Sequence, residues 1–260
     1  MKKLFVVPLL SLLFSAFASS SLSAQETRKI KIGVEGAYPP FSQIGIDGKL
    51  KGFDIDIANA LCEQMKAQCT MVQQEFDGLI PSLQAKKIDA AIASMSITEE
   101  RQKVVDFTDK YYRTPARFVA RKNSGLTVTA AGLKGKRVGV QRTTTHDRFA
   151  TDTFKESEIV RYAKQDDVFL DLTAGRLDGA LLDWIAASEG FLKSPAGKDF
   201  NFQGPIFIDF KYFGVGAGIA VRKGETDLRN EFNAAIKAIR ANGTYKKIQD
   251  KYFDFDVFGT

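Results

Sequence analysis

The sequence predicts an α/β fold built from two similar lobes. Two observations carry this expectation: βα units that stop and restart midway along the chain, and a phrase that recurs. Leu83-Gln-Ala-Lys-Lys-Ile-Asp-Ala-Ala returns, loosely edited, as Leu172-Thr-Ala-Gly-Arg-Leu-Asp-Gly-Ala. Ile88-Asp89 overlays Leu177-Asp178, each between the end of a helical pattern and a short apolar run. Continuing the overlay brings Ser94 onto Asp183. A strand that ends on a polar residue delivers that side chain to the crevice at the carboxyl edge of an α/β sheet. Two such units therefore offer polar groups to a shared cleft.

The elements follow in order. Residues 29–35 alternate polar and apolar and read as the first strand. Gly36-Ala-Tyr-Pro-Pro-Phe41 breaks that strand into a loop, because two prolines remove donors and fix φ. From Phe53 a helical stripe of Ile57, Ala58, Leu61 and Met65 is suited to packing on a sheet. A second strand is expected over 69–74, a second helix over 77–85 and a third strand over 89–94. A short helix over 98–103 precedes extended stretches at 104–107 and 118–121. The pattern then restarts with strands at 137–140, 159–163 and 177–183, separated by helices at 145–154 and 166–174. An extended segment at 214–221 returns the chain. Leu228, Phe232, Ala235, Ile236 and Ile239 mark a terminal amphipathic helix, with a second short helix after Gly243. Alternation of this kind argues for open, largely parallel sheets with helices on both faces. Residues 25–115 and 217–260 are expected to form one lobe and 116–216 the other, joined by two crossing strands.

The N-terminus lies apart from this pattern. Lys2 and Lys3 precede an apolar run from Leu4 to about Ala18, and small residues continue to Ala24. This is the pattern of a cleaved secretory signal over 1–24. The run is shorter than the roughly 20 apolar residues that span a bilayer, and no Cys follows it to carry a lipid. An exported, soluble product of about 236 residues is expected, enough for two lobes with cores. The formal charge of +6 includes Lys2 and Lys3, and acids are interspersed with bases throughout. No basic run marks a nucleic-acid surface. Cys62 and Cys69 are the only cysteines, and in an exported chain they read as a disulfide. A structural zinc site takes about four ligands, and the single histidine, His146, is far from both in sequence.

Polar residues concentrate where strands end. In Ser94-Met-Ser96-Ile-Thr98-Glu-Glu-Arg101, Thr98 suits an N-cap and the two Glu suit the positive helix end. Arg101 then lies one turn in, where its fork folds back beside Ser96. A planar guanidinium with neighbouring hydroxyls matches a carboxylate; an exposed Arg paired with Glu is the plainer reading. Gly139-Val-Gln-Arg-Thr-Thr-Thr145-His146 places hydroxyls and backbone N–H groups where a strand turns into a helix, a setting that binds anions or simply caps. Glu35 and Asp183 close strands, where carboxylates facing a crevice attract a cation. Tyr38, Phe41 and Phe76 flank these segments. Their faces suit an alkyl-ammonium or guanidinium stem, and core packing is the stronger reading for Phe41. With one histidine and no Gly-x-Ser-x-Gly elbow, no nucleophile–base–acid triad is evident.

The motifs Tyr38-Pro-Pro-Phe, Gly52-Phe-Asp-Ile-Asp, Phe76-Asp-Gly-Leu-Ile-Pro-Ser-Leu, Ser94-Met-Ser-Ile-Thr-Glu-Glu-Arg, Leu172-Thr-Ala-Gly-Arg-Leu-Asp and Tyr212-Phe-Gly occur in one order. On these the chain resembles periplasmic solute-binding proteins of ABC importers, specifically the lysine/arginine/ornithine- and histidine-binding group (solute-binding protein family 3). The likeness runs over essentially the whole mature chain. It implies a type II periplasmic-binding-protein fold, a two-lobe clamp that closes over one amino acid in the periplasm. It also implies an inner-membrane ABC permease as partner, a monomer, and neither cofactor nor metal. The Cys62/Cys69 pair matches a disulfide usual in the group.

By that resemblance Arg101 grips the ligand's α-carboxylate, with Ser96 and the backbone near Thr145 assisting. Asp183 and groups near Ser94 take the α-ammonium. Tyr38 and Phe76 sandwich the side chain, and Glu35 meets its cationic end. The chain departs from the group in three places. Ala93 stands where Ser is frequent, Glu35 where Asp is common, and His146 where Gln is often found. The Thr-x-His setting resembles arginine/ornithine-preferring members. The expected ligand is thus arginine or ornithine, then lysine, then histidine. A receptor for opines is the near alternative, and a dehydratase-like enzyme on the same scaffold the distant one. A chemosensory role would leave no mark in the sequence.

Overall fold

The computed structural model describes Met1 and residues 27–259, so the expected signal over 1–24 lies outside the described residues. The chain begins with β1 (Lys29–Val34). A small antiparallel sheet follows, of β2 (Ala37–Tyr38), β3 (Ser42–Ile44) and β4 (Leu50–Lys51). Next come α1 (Phe53–Gln64), β5 (Gln68–Gln73), α2 (Leu79–Gln84), β6 (Ala90–Ala91), α3 (Glu99–Gln102) and β7 (Val105–Tyr112). The chain then crosses to β8 (Ala116–Arg121), β9 (Arg137–Gln141), α4 (Thr145–Thr153), β10 (Glu158–Tyr162), α5 (Gln165–Thr173), β11 (Gly179–Asp183), α6 (Trp184–Ala187), β12 (Phe200–Phe207) and α7 (Phe210–Phe213). It returns through β13 (Ala217–Arg222) to α8 (Thr226–Ala241) and α9 (Thr244–Gln249).

Two five-stranded sheets result, ordered β5-β1-β6-β13-β7 and β10-β9-β11-β8-β12. Their patterns match strand for strand. The first three strands of each are parallel, and the fourth pairs antiparallel with both neighbours. The reversed strand in each sheet, β13 or β8, is the one on which the chain arrives from the other lobe. The recurring phrase ends on β6 and β11, which hold the same central place in the two sheets. The expectation of two similar α/β lobes therefore holds, with each sheet mixed because one strand in each runs against its neighbours.

Each lobe has its own core. In the first, the stripe Phe53, Ile57, Ala58 and Leu61 of α1 and the stripe Leu228, Phe232, Ala235, Ile236 and Ile239 of α8 pack around Ile30, Ile32 and Val34 of β1. Gly52 precedes α1 at φ 129°, and a Cβ there would lie 2.2 Å from the Phe41 carbonyl oxygen. Only glycine fits that close approach. Cys62 and Cys69 are bridged, tying α1 to β5. In the second lobe, Phe118, Val138, Val140 and Leu181 pack with Phe149 of α4 and with Phe154, which caps its C-terminal end. Ile185 and Ala186, although they follow β11, are buried in the first lobe's core. No helix among the described residues is long and apolar enough to cross a membrane.

Two local differences from the sequence reading have physical causes, and one of its readings is decided by burial. The strand expected over 89–94 is only Ala90–Ala91, because the chain turns out of the ladder to Ser94, which has φ 54°. β12 is absent from the sequence reading. It is an edge strand, largely exposed, and its register shifts across Gly204-Pro205, so neither alternation nor continuity marks it. Phe41, one of the three flanking aromatics, is fully buried and stacks on Tyr112 at 4.7 Å. It belongs to the core.

Candidate functional site

The carboxyl ends of β1, β6, β9 and β11 converge on a cavity between the two sheets. All nine expected site residues line it. Glu35, Tyr38, Phe76, Ser94, Ser96 and Arg101 come from the first lobe, and Thr145, His146 and Asp183 from the second. Glu35, Tyr38, Phe76, Thr145 and Asp183 are each buried.

Arg101 sits one turn into α3, whose N-cap Thr98 accepts from the Arg101 backbone N–H at 3.3 Å. Its fork does fold back. Nη1 donates to the Ser96 carbonyl at 3.0 Å and Nη2 to the Thr143 carbonyl of the other lobe at 3.2 Å. The guanidinium lies 5.3 Å from the centre of the Phe76 ring, within cation–π range. Burial lowers its pKa to about 10, and Glu100 opposes the shift, so it stays charged at neutral pH. Two carbonyls thus fix the fork without neutralising it.

Asp183 ends β11 and caps α6, its Oδ1 accepting from the Ala186 N–H at 2.9 Å and from the Thr114 hydroxyl at 3.3 Å. Desolvation pushes its carboxyl up to about 7 against the pull of those bonds. Glu35, just beyond β1, is likewise raised to about 7, first by burial, while a bond from Gln141 works in the other direction. His146 is driven down to about 3, by burial and then by Arg101, and is therefore neutral. With Arg101 bonded to two carbonyls and His146 neutral, no further cation among the described residues lines the cavity to pair with the two carboxylates.

Around these groups stand Tyr38 and Phe76 as flat walls. Ser94 donates its hydroxyl to Asp54 at 2.9 Å, and its backbone N–H donates to the Tyr111 hydroxyl at 3.2 Å. Asp54 is fully buried and also accepts from Tyr111 at 2.8 Å. Burial raises it to about 7 as well. At the mouth of β9 the cap of α4 is Thr144, whose Oγ1 accepts from the Asp147 N–H at 3.2 Å. Thr145 is thereby free of capping and faces the cavity in the first turn, where helix N–H groups lack intrahelical partners. Trp184 follows Asp183, donates its backbone N–H to the Pro115 carbonyl at 2.9 Å and packs with its ring centre 5.1 Å from that of Phe255. It braces the junction of the lobes.

Besides Thr114, which lines the cavity and donates to Asp183, two more residues escaped the sequence reading. Gln141 ends β9, and its Nε2 donates to Glu35 Oε1 at 2.6 Å and to the Ala163 carbonyl at 3.1 Å. Asp54 looked like an ordinary first-turn acid on α1. Their signal is a polar side chain at a strand end in one case and beside a buried stripe in the other, patterns that surface residues share.

Two like lobes meeting over a charged cavity define a ligand-enclosing clamp of the type II periplasmic-binding-protein architecture. The chain belongs to the bacterial extracellular solute-binding proteins, family 3, whose model matches residues 30–255. It is 53% identical over 262 residues to the L-arginine-binding protein of Pseudomonas aeruginosa, covering 100% of both chains. It is 50% identical to the histidine-binding periplasmic protein of Salmonella typhimurium, over 96% of this chain and 97% of that one. A solved Salmonella typhimurium periplasmic binding protein of high arginine specificity superposes with a TM-score of 0.82 at 39% identity, covering 87% of this chain and 100% of that chain.

Proposed function

We propose that this chain is the periplasmic solute-capturing component of an ABC importer and encloses one cationic L-amino acid, arginine or ornithine first, then lysine, then histidine. The observation that carries the reading is the charge count of the cavity. Two carboxylates, Glu35 and Asp183, stand against one guanidinium, Arg101, leaving one negative unit when all are ionised. A dibasic amino acid brings one carboxylate and two cations, and so completes the pairing. Arg101 and the first turn of α4 receive the α-carboxylate. Asp183 and the Ser94 hydroxyl oxygen, its proton committed to Asp54, accept from the α-ammonium. Tyr38 and Phe76 flank the stem, and Glu35 meets its charged end.

A neutral side chain would leave the Glu35 carboxylate unpaired in a closed cleft, at about 1–3 kcal/mol. The same cost explains capture: without ligand, closing the lobes desolvates both carboxylates, and with ligand it pairs them. The relatives named for arginine and histidine binding support a cationic ligand. Opines carry a further carboxylate, for which Arg101 is the only guanidinium lining the cavity among the described residues. That alternative is not favoured. The reading also takes the lobe boundaries at 115/116 and 216/217, a monomer, an inner-membrane permease as partner, and no enzymatic step. It assigns 1–24 to a cleaved export signal.

Titration calorimetry tests it. Arginine or ornithine should bind tightly at one site per chain and glutamine far more weakly, and Arg101→Ala should remove binding of every amino acid. Equal affinity for arginine and glutamine would remove Glu35 from its role. Loss of only one side-chain class in Arg101→Ala would remove Arg101 from the α-carboxylate.

A further inference from the structure

The lobes also touch outside the cavity, through side chains that no enclosed solute reaches. Arg142 directly follows Gln141 at the tip of β9, and its backbone N–H continues the ladder to the Tyr162 carbonyl at 2.9 Å. Consecutive residues of an extended segment point to opposite sides. Gln141 turns inward to Glu35, and Arg142 turns outward across the seam. There its Nε donates to Asp77 Oδ2 at 2.6 Å and its Nη2 to Glu75 Oε2 at 2.8 Å. Glu75 and Asp77 bracket Phe76, the aromatic wall of the cavity, in one tight 3-10 turn. Arg142 does not line the cavity. One guanidinium of the second lobe thus grips, from outside, both neighbours of a first-lobe residue that faces the solute. Arg148 pairs with Glu100 on the Arg101 side of the same seam.

We infer that Arg142 is a positioning residue for solute capture: by clasping Glu75 and Asp77 it seats Phe76 against the solute and slows reopening of the cleft. The inference rests on the closure reading above. Every contact of Arg142 with the first lobe must break before solute leaves, and none of them depends on which solute is inside. Its effect therefore falls on the dissociation rate, equally for all ligands. The three side chains are partly exposed, so each pair is modest and screened by salt. The fork spans two acids at once, which an ammonium does not reproduce.

Stopped-flow release of arginine, ornithine and lysine, followed by the fluorescence of the single Trp184 or by a competing ligand, tests this. Arg142→Ala should speed release about 3- to 20-fold for all three, the range for one or two exposed pairs, with their order of preference unchanged. Added salt should speed release from the native protein more than from the variant. Arg142→Lys should fall between. The swap Arg142→Asp with Asp77→Arg should recover part of the slow release that Arg142→Asp alone loses. The ligand-free melting temperature reports folding separately and should hardly move in Arg142→Ala. Unchanged release rates, a change confined to one ligand, or a swap with no recovery would each overturn the inference. Absence of amino-acid binding in the native protein would instead overturn the closure reading itself.

Discussion

Gln141 of the second lobe donates to Glu35 of the first across 2.6 Å, and its other amide hydrogen goes to the Ala163 carbonyl at 3.1 Å. Both donors are therefore spent on acceptors, which fixes the amide orientation: turned over, its oxygen would face two oxygens. The bond crosses the cleft at the end where a cationic side chain is proposed to sit. It opposes the desolvation of Glu35, the largest influence on that carboxyl, and leaves the second carboxylate oxygen for a ligand cation.

Removing this donor should weaken cation recognition without touching the rest of the cavity. In Gln141→Ala, Glu35 loses the one hydrogen bond that favours its ionised form, so its carboxyl should rise further above 7. Arginine affinity should fall about tenfold, in keeping with about 1–3 kcal/mol for a buried charge left without its donor. Isothermal titration at pH 7.5 measures it. An unchanged arginine affinity would show that Gln141 closes the lobes without tuning Glu35.

The raised carboxyls predict a pH dependence with opposite signs for the empty and the occupied cleft. Glu35, Asp54 and Asp183 each stand at about 7, against about 4 for free carboxyls. In the closed, ligand-free protein they hold protons that the unfolded chain has lost. Their contribution to stability is complete below about pH 4 and is lost as pH rises through 7. Ligand binding runs the other way, because both ligand cations require ionised Glu35 and Asp183. At pH 6 a carboxyl of pKa 7 is about nine-tenths protonated, so arginine affinity should drop up to about tenfold per group between pH 8 and 6. Calorimetry in buffers of different ionisation heat should register proton release at pH 6. Equal affinities and buffer-independent heats would contradict this.

The sequence carried the fold and most of the cavity because both are written in local patterns. Ser94 and Asp183 were legible from the recurring phrase, and Arg101 from its distance to the Thr98 cap, which the 3.3 Å bond realises. Gln141 was not, because its meaning lies in Glu35, far away in sequence and in the other lobe. Ser94 was found for its place but not for its backbone. Its positive φ depends on Asp54 and Tyr111, which meet it only when α1 and β7 pack. The exposed edge strand β12 was illegible for the converse reason: it buries too little to impose a period.

The trio of Asp54, Tyr111 and Ser94 carries a last prediction. Asp54 accepts from both hydroxyls at 2.8 and 2.9 Å in a position closed to water. Ser94 is held there at φ 54°, a conformation that costs a non-glycine residue about 1–3 kcal/mol and persists only when its surroundings fix it. In Asp54→Asn one carboxylate oxygen becomes an NH₂, so one of the two hydroxyls loses its acceptor and faces a donor. Stability should fall by about 1–3 kcal/mol, measured by urea unfolding of the ligand-free protein. Binding of all amino acids should weaken together, because the Ser94 hydroxyl that turns its lone pairs to the α-ammonium is no longer anchored. Ser94→Gly relieves the backbone but removes the hydroxyl, so it should keep the stability and still weaken binding. Should Asp54→Asn retain native stability and native affinity for arginine, the trio would have no part in holding Ser94 to the cleft.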